Sequence, residues 1–447
     1  MAVFSTIEKS ELEGAGRLDA EYYQPAYLSI SQRLTKFKTV RLDDIAYVTD
    51  GEHGSPIFDE SSGIKYYSAQ HVRDGFIDDT DVKTISKLID DKNARSRLQV
   101  GDILLSTVGT IGFAGLATDD LLPANIDRHA ARIALNKNTL DPEFLVAFLN
   151  SKYGRGQSIR QATGNVQLNL FIDKIKEFRV PVQNNSSISA HVQDALTQRK
   201  KSSELYAAAE KLLLEELGIK ESDFEDELSY VIELSEAAER TDAEYFQPKY
   251  QKLLEKIRAK NPGKLGDLVS VKKGIEPGAE AYQEEGKLFI RVSSVSKFGI
   301  QKLDQKHLSN ELYEKLSKDF EPQAGEILLT KDATTGIAYV VSESVQGIIS
   351  GGILRLKLKT GVDPEYLALV INSLVGQMQA ERDAGGSIIK HWKPDQVKNI
   401  EIPILPNATQ QKIGDLVCKS HAARQKSKQL LESAKHQVEQ LIEKGTT

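Results

Sequence analysis

The chain has 447 residues but only one cysteine, Cys418, one tryptophan, Trp392, and two methionines. A single cysteine excludes an intramolecular disulfide, which suits a reducing compartment and points to the cytoplasm. No apolar run approaches the roughly 20 residues that span a bilayer. The opening MAVFSTIEKSELEG has no basic stretch followed by an apolar core, so no signal peptide is expected. A basic surplus is also missing. With 58 Lys and Arg against 64 Asp and Glu, the net charge is −6, which speaks against a free-standing nucleic-acid binder. Catalytic signatures are absent too: no G-x-x-x-x-G-K-[ST] loop, no G-x-G-x-x-G after a strand, no H-E-x-x-H, and no Asn-Pro-Pro-aromatic motif. The eight histidines are scattered without metal-pair spacing, so neither a metal nor a cofactor is expected. Acidic pairs, as in LLLEELGIKESDFEDEL, read as solvated helix faces. The chain is not expected to be an enzyme.

What is present is a repeat. RLDAEYYQPAY at Arg17–Tyr27 returns as RTDAEYFQPKY at Arg240–Tyr250, an offset of 223 residues with eight of eleven letters kept. RLDDIAYVTDG (Arg41–Gly51) lies over KLGDLVSVKKG (Lys264–Gly274), and GDILLSTVGTIG (Gly101–Gly112) over GEILLTKDATTG (Gly325–Gly336). DPEFLVAFLNS from Asp141 matches DPEYLALVINS from Asp363, and ATGNVQLN from Ala162 starts a stretch matching AGGSIIKHW from Ala384. The whole chain is a tandem duplication, as a search for internal periods should reveal before any fold is assigned.

Each copy reads as mixed α and β. VRLDDIAYV, IKYYSA, DILLS and RHAARIAL in the first copy, and KLGDLVSV, KLFIRV, EILLT and GGILRLKL in the second, are strand-like runs bounded by turn residues. The Asp-Pro pairs at 141 and 363 predict helix starts. Long segments without breakers follow each copy, Ser189–Leu217 and about Thr409–Glu443. Heptad seams run through Val192, Leu196, Arg199, Ser203, Tyr206, Glu210, Leu213 and Leu217, and through Ile413, Val417, Ser420, Arg424, Ser427, Leu431, Ala434, Val438 and Leu441. Apolar ends and polar middles predict an antiparallel pair of long coiled-coil helices. The alternative is two amphipathic helices, each packed on its own domain. The predicted divisions are 1–184, a helix at 185–220, 221–406, and a helix at 407–447.

The glycine-bearing loops occupy matching places yet differ most in sequence, as a frame built twice to read two things would require. Candidate nucleic-acid contacts in the first copy are His53, Gln70, His71, Arg73, Thr107, Thr110, Asn165, Gln167 and Asn169. In the second they are Lys272, Lys273, Arg291, Ser293, Ser294, Lys297, Lys331, Thr334, Lys390, His391, Trp392 and Lys393. Such side chains donate to base edges and phosphates, although any one could be an ordinary polar loop residue. Trp392 is open to two readings, core packing or stacking on a base.

The twice-used DAEY[YF]QP, the GDILL/GEILL strand, the ATGN/AGGS loop and PNATQQKI at Pro406–Ile413 together resemble specificity subunits of type I restriction-modification systems. The resemblance covers essentially the full chain, but the first copy departs from it in carrying SSISAHV without Gln-Gln. It implies two target recognition domains with mixed sheets, each reading half of a split double-stranded DNA target, around spacer helices. Methylation and cleavage would belong to two methyltransferase subunits and to restriction subunits, with S-adenosylmethionine bound by the former. The repeated segments would dock those partners through Asp19, Glu21, Tyr22, Gln24, Asp242, Glu244, Tyr245, Gln247, Gln410 and Gln411; alternatively, DAEY caps a helix. A 29-residue helix is about 43 Å long, which suits a spacer between half-sites one helical turn apart. The competing reading is a duplicated protein-binding scaffold, which the net charge favours.

Overall fold

The computed structural model describes the chain apart from residues 1–3, 11, 13–15, 165–166, 234, 236, 238–239, 302–304, 360, 386–389 and 445–447. It divides into two compact units, 1–199 with 425–447, and 200–424. Both are mixed α and β.

In the first unit a six-stranded sheet has the order Ala46–Asp50, Ala130–Leu135, Ile103–Ser106, Ala114–Leu116, Gly75–Ile77, Val72–Arg73. Ile133 lies opposite both Val48 and Ile103, so β-branched side chains stack in one row. The helix Pro142–Asn150 starts at Asp141 with proline in its first turn and buries Phe144, Leu145, Phe148 and Leu149 against that row. Full burial of each such side chain is worth about 1.5–3 kcal/mol. Part of the first long helix, Ser186–Leu217, and the end of the second, Asn407–Lys444, complete this core through Ile188, Val192 and Ala195, and Leu431, Ala434 and Val438.

The second unit repeats the frame with a four-stranded sheet: Val269–Lys273, Ile353–Leu358, Ile327–Thr330, Ala338–Val340. Leu356 lies opposite both Val271 and Ile327. The helix Pro364–Asn372 is capped by Asp363, whose Oδ1 accepts from the Tyr366 amide at 2.8 Å. Tyr206, Ala209 and Leu213 of the first long helix join Ile413 and Val417 of the second in its core. Both units carry a buried ion pair at the same place. Arg132 Nε lies 2.6 Å from Asp102 Oδ2, and Arg355 Nε 3.2 Å from Glu326 Oε2. Left-handed glycines also recur, Gly101 and Gly112 against Gly325 and Gly336.

Several expectations change. VRLDDIAYV is not one strand: Thr39–Arg41 and Ala46–Asp50 are split by the helical turn Leu42–Ile45, where the Asp44 carboxylate accepts from the Arg41 amide. RHAARIAL begins as a strand only at Ala130, leaving Arg128 and His129 in the preceding turn. The buried seam of the first helix runs through Ala195, Ser202, Tyr206 and Ala209; Ser203 is exposed and Leu196, Arg199 and Glu210 are half-buried. The expected polar middle is present as Ser202, whose Oγ lies 3.0 Å from Ser420 Oγ. In the second helix Ala423 and Ile442 are the buried residues, where Arg424 and Leu441 were expected.

Candidate nucleic-acid interface

In each unit, backbone hydrogen bonds sew the divergent loops into one strip. In the first, the Arg128 amide donates to Glu52 O, Thr107 to His129 O, and Leu170 to Thr107 O. Thr163 and Asn169 exchange amide bonds at 2.9 and 2.7 Å, closing the loop between them. In the second, Ile275 bonds Ile349 O, Lys331 bonds Gly352 O, Trp392 bonds Lys331 O, and Gly385 and His391 close the equivalent loop. Gly51 and Gly274 permit this approach. A Cβ there would lie 1.8 Å from Ile126 O and 2.1 Å from Ser350 O.

The strip exposes His53, Thr110 and Gln167, with Asn169 half-buried, in the first unit. In the second it exposes Thr334, Lys390, His391 and Lys393, with Lys273 at a strand end. His53 Nε2 lies 2.8 Å from Asp50 Oδ2. His391 Nδ1 lies 2.8 Å from Asp332 Oδ1, and Lys331 Nζ 2.6 Å from Asp332 Oδ2. Burial would raise the Asp332 pKa, but those two hydrogen bonds hold it below the usual carboxylate range. Asn165 lies outside the described residues.

Other candidates point elsewhere. Trp392 is 1% exposed in the core, at the place where the first copy puts Leu170, so its ring cannot stack on a base from there. Ser294 is fully buried, and Thr107 and Lys331 are buried. His71 is buried too and accepts from the Ser68 amide at 2.9 Å on Nδ1; its burial is the chief cause that pushes its pKa below the usual histidine value. Lys272 is engaged with Asp319 at 2.6 Å.

The hairpin residues serve the helices. Arg73 lies 3.7 Å from Asp78, while the Arg199 guanidinium stacks on Phe76 and Lys435 reaches Asp74 at 2.5 Å. In the second unit Lys297 lies over the Tyr206 ring at 4.5 Å and Arg424 over Phe298 at 4.0 Å. Arg291 is half-buried, and Gln70 and Ser293 are exposed beside these hairpins. Cation–π contacts at such partly covered sites are worth about 0.5–2 kcal/mol. Arg128 and His129 belong to the strip and escaped sequence reading because their run looked continuous with the strand. The signal that could have marked the break is Asp127, whose Oδ1 accepts from the His129 amide at 2.8 Å.

Of the residues assigned to partners, Gln410 is buried. Its Oε1 accepts from the Asp363 amide at 3.2 Å and its Nε2 donates to Leu405 O at 2.7 Å. In the first copy, which lacks the glutamine, Asn184 Oδ1 accepts from the Asp141 amide, and Ser189 Oγ donates instead to the Asp141 carboxylate. Gln411 is exposed; Gln247 is half-buried and exchanges hydrogen bonds with the Glu227 backbone. Asp19, Glu21, Gln24, Asp242 and Glu244 are exposed. Tyr22 is buried and Tyr245 half-buried, with Arg17 stacked on the first ring and Arg240 on the second.

The family described as type I restriction modification DNA specificity domain matches residues 259–432. Over 124 residues the chain is 30% identical to the EcoBI specificity subunit of a type I restriction enzyme from Escherichia coli, and that match spans 28% of this chain and about a quarter (26%) of the relative. Crystal structures of a type I S subunit from M. genitalium and of HsdS from Thermoanaerobacter tengcongensis align over 92% and 90% of this chain, and 96% and 95% of theirs. Identities are 15% and 14%, with TM-scores of 0.39 and 0.28, too low to bear on fold or function. No helix among the described residues is long and apolar enough to cross a membrane.

Proposed function

We propose that this chain, whose residues 259–432 match the type I restriction modification DNA specificity domain, is the non-catalytic DNA reader of its system. The observation that carries this reading is one backbone frame built twice, with the loop strips at matching places and different side chains on each. Residues 1–184 and 221–406 read the two unlike halves of a bipartite duplex, and the helices at 185–220 and 407–447 space them. The candidates still in reach are His53, Thr110, Gln167 and Asn169 for one half-site, and Lys273, Thr334, Lys390, His391 and Lys393 for the other. Two methyltransferase subunits, which bind S-adenosylmethionine, assemble on the chain, and restriction subunits join where cleavage accompanies methylation. The chain needs no cofactor of its own and works in the cytoplasm. The net charge of −6 is compatible with this, because partners around the duplex supply phosphate neutralisation.

The test is selection from a random-sequence duplex library by the full chain, alone and with a methyltransferase encoded beside it. A two-part asymmetric motif, with binding that falls steeply with salt, is expected. Exchange of residues about 50–180 for those of a relative should change one half only. Enrichment of no motif under either condition, or a change in both halves together, would sink the reading.

A further inference from the structure

The segment repeated most faithfully, Arg-x-Asp-Ala-Glu-Tyr, makes the same internal construction in both units. The Arg17 guanidinium grips Asp19 with both prongs, Nε to Oδ1 at 2.8 Å and Nη2 to Oδ2 at 2.5 Å. Its remaining donors face the carbonyls of Arg160, Gln161 and Ala162 at 3.3–3.4 Å. These carbonyls end the helix Lys152–Gln161, where backbone acceptors lack intrahelical partners and the helix dipole favours a cation. Arg17 also stacks on Tyr22 at 4.6 Å, and Arg160 stacks on it at 4.1 Å. In the second unit Arg240 grips Asp242 at 2.9 and 2.5 Å and faces the carbonyls of Arg382 and Asp383 at 3.4 Å. These end the helix Leu374–Asp383, and Arg240 and Arg382 lie over Tyr245 at 4.2 and 5.5 Å.

Two residues beyond each clamped helix end, a divergent loop begins. Thr163 starts the loop closed on Asn169, and Gly385 the loop closed on His391. The clamp is thus constant where the loop it carries is variable. That is what a device for aiming interchangeable loops requires, since a loop reads bases only if its root is fixed. Docking of partners explains the same repetition less well, because the aromatic ring of each Tyr is already stacked by arginine.

We propose that Arg17 and Arg240, tied by Asp19 and Asp242, are positioning residues for specificity, each fixing the reading loop of its own copy. This rests on the DNA-reading function argued above. Two measurements on the full chain test it. In amide exchange, Arg17→Ala should speed Thr163 and Asn169 by about tenfold or more while Gly385 and His391 stay unchanged, and Arg240→Ala should do the reverse. In selection from the random duplex library, Arg17→Ala should cost about tenfold discrimination at one half of the enriched motif and nothing at the other. Asp19→Asn leaves the helix end its guanidinium while loosening the grip, and should act in the same direction more weakly; it carries the test should Arg17→Ala not fold. A wild-type chain that enriches no motif would discredit the DNA reading, with loop exchange still reporting the clamp. A wild-type motif left intact, or blurred equally in both halves, by Arg17→Ala would overturn the positioning role.

Discussion

The β-hairpin at 72–77 and its counterpart at 295–300 stand at matching places in the two copies, yet only the first joins its central sheet. Gly75–Ile77 pairs in parallel with Ala114–Leu116, whereas Val295–Ser296 and Gly299–Ile300 form a two-stranded sheet of their own. Two differences account for this, the order of Phe and Gly within the hairpin and one position on the edge strand. A Cβ on Gly115 would lie 2.4 Å from Phe76 O, so pairing requires glycine there. The second copy has Tyr339 at that place, and its ring lies 3.8 Å from where a Cβ on Gly299 would be. A bulky edge residue keeps the hairpin off the sheet, and the hairpin is held instead by Phe298 under Arg424 and against Tyr206. The same frame therefore tolerates a change of sheet membership as long as the hairpin keeps a helix to sit on.

The largest effect is expected at the ion pair that the copies share. Removing Arg132 leaves Asp102 buried without its cation, which should cost about 3–5 kcal/mol. Arg355→Ala should cost less, because that pair is longer, 3.2 against 2.6 Å, and slightly more exposed. Denaturant titration with exchange followed separately on Ala130–Leu135 and Ile353–Leu358 checks this. Each variant should loosen its own strand first, and equal losses in both strands would mean that the copies do not respond separately.

Gly115→Ala tests the difference. The added methyl collides with backbone rather than with a movable side chain, so we expect about 1–3 kcal/mol of destabilisation. Loss of exchange protection should concentrate at Gly75–Ile77. Tyr339→Gly should be well tolerated structurally but should not by itself zip the second hairpin onto its sheet, since the Phe and Gly of that hairpin stand in reversed order. Unchanged protection at Gly75–Ile77 in Gly115→Ala would remove glycine from the explanation.

The duplication, the mixed class, the Asp-Pro helix starts and the long helices were all legible, because each follows from periodicity or turn chemistry within one segment. The candidate site was legible only as loops. Trp392 and Lys331 lie in polar stretches, but their burial is decided by the chain they meet, not by their neighbours in sequence. Lys297 and Arg73 looked like free cations because their acceptors, the Tyr206 ring and Asp78, are supplied by packing. Gln410 carried a family pattern, and its absence from the first copy hid the fact that Asn184 meets the Asp141 amide as Gln410 meets that of Asp363.

The different surroundings of Asp141 and Asp363 set a smaller prediction. Gln410→Ala strands the Asp363 amide and the Leu405 carbonyl in a buried place, at about 1–3 kcal/mol. Ser189→Ala removes one hydrogen bond and leaves Asn184 in place, so about 0.5–1.5 kcal/mol is expected. Chemical denaturation of both variants checks the order. If Ser189→Ala were the costlier, Asn184 would not be what holds Asp141 in place.

The smallest effect lies in the glycine loops themselves, where the copies differ in backbone comfort. Gly109 has φ 72°, and the matching residue of the second copy is Ala333, with φ 58°. A left-handed residue with a side chain costs about 1–2 kcal/mol, which glycine avoids while losing about 0.4–1 kcal/mol to its freer unfolded chain. Ala333→Gly should therefore stabilise the second unit by about 0.5–1 kcal/mol, and Gly109→Ala should destabilise the first by a similar amount. The Ala333 amide donates to Lys390 O at 2.9 Å, a bond that glycine preserves, so the loop strip should keep its closure. Denaturation midpoints of the two single variants, compared under one set of conditions, decide the matter. A loss of stability in Ala333→Gly would show that the methyl group contributes contacts outweighing its backbone strain, and the two loops would then differ by design of their surface rather than by tolerance of an imperfect turn.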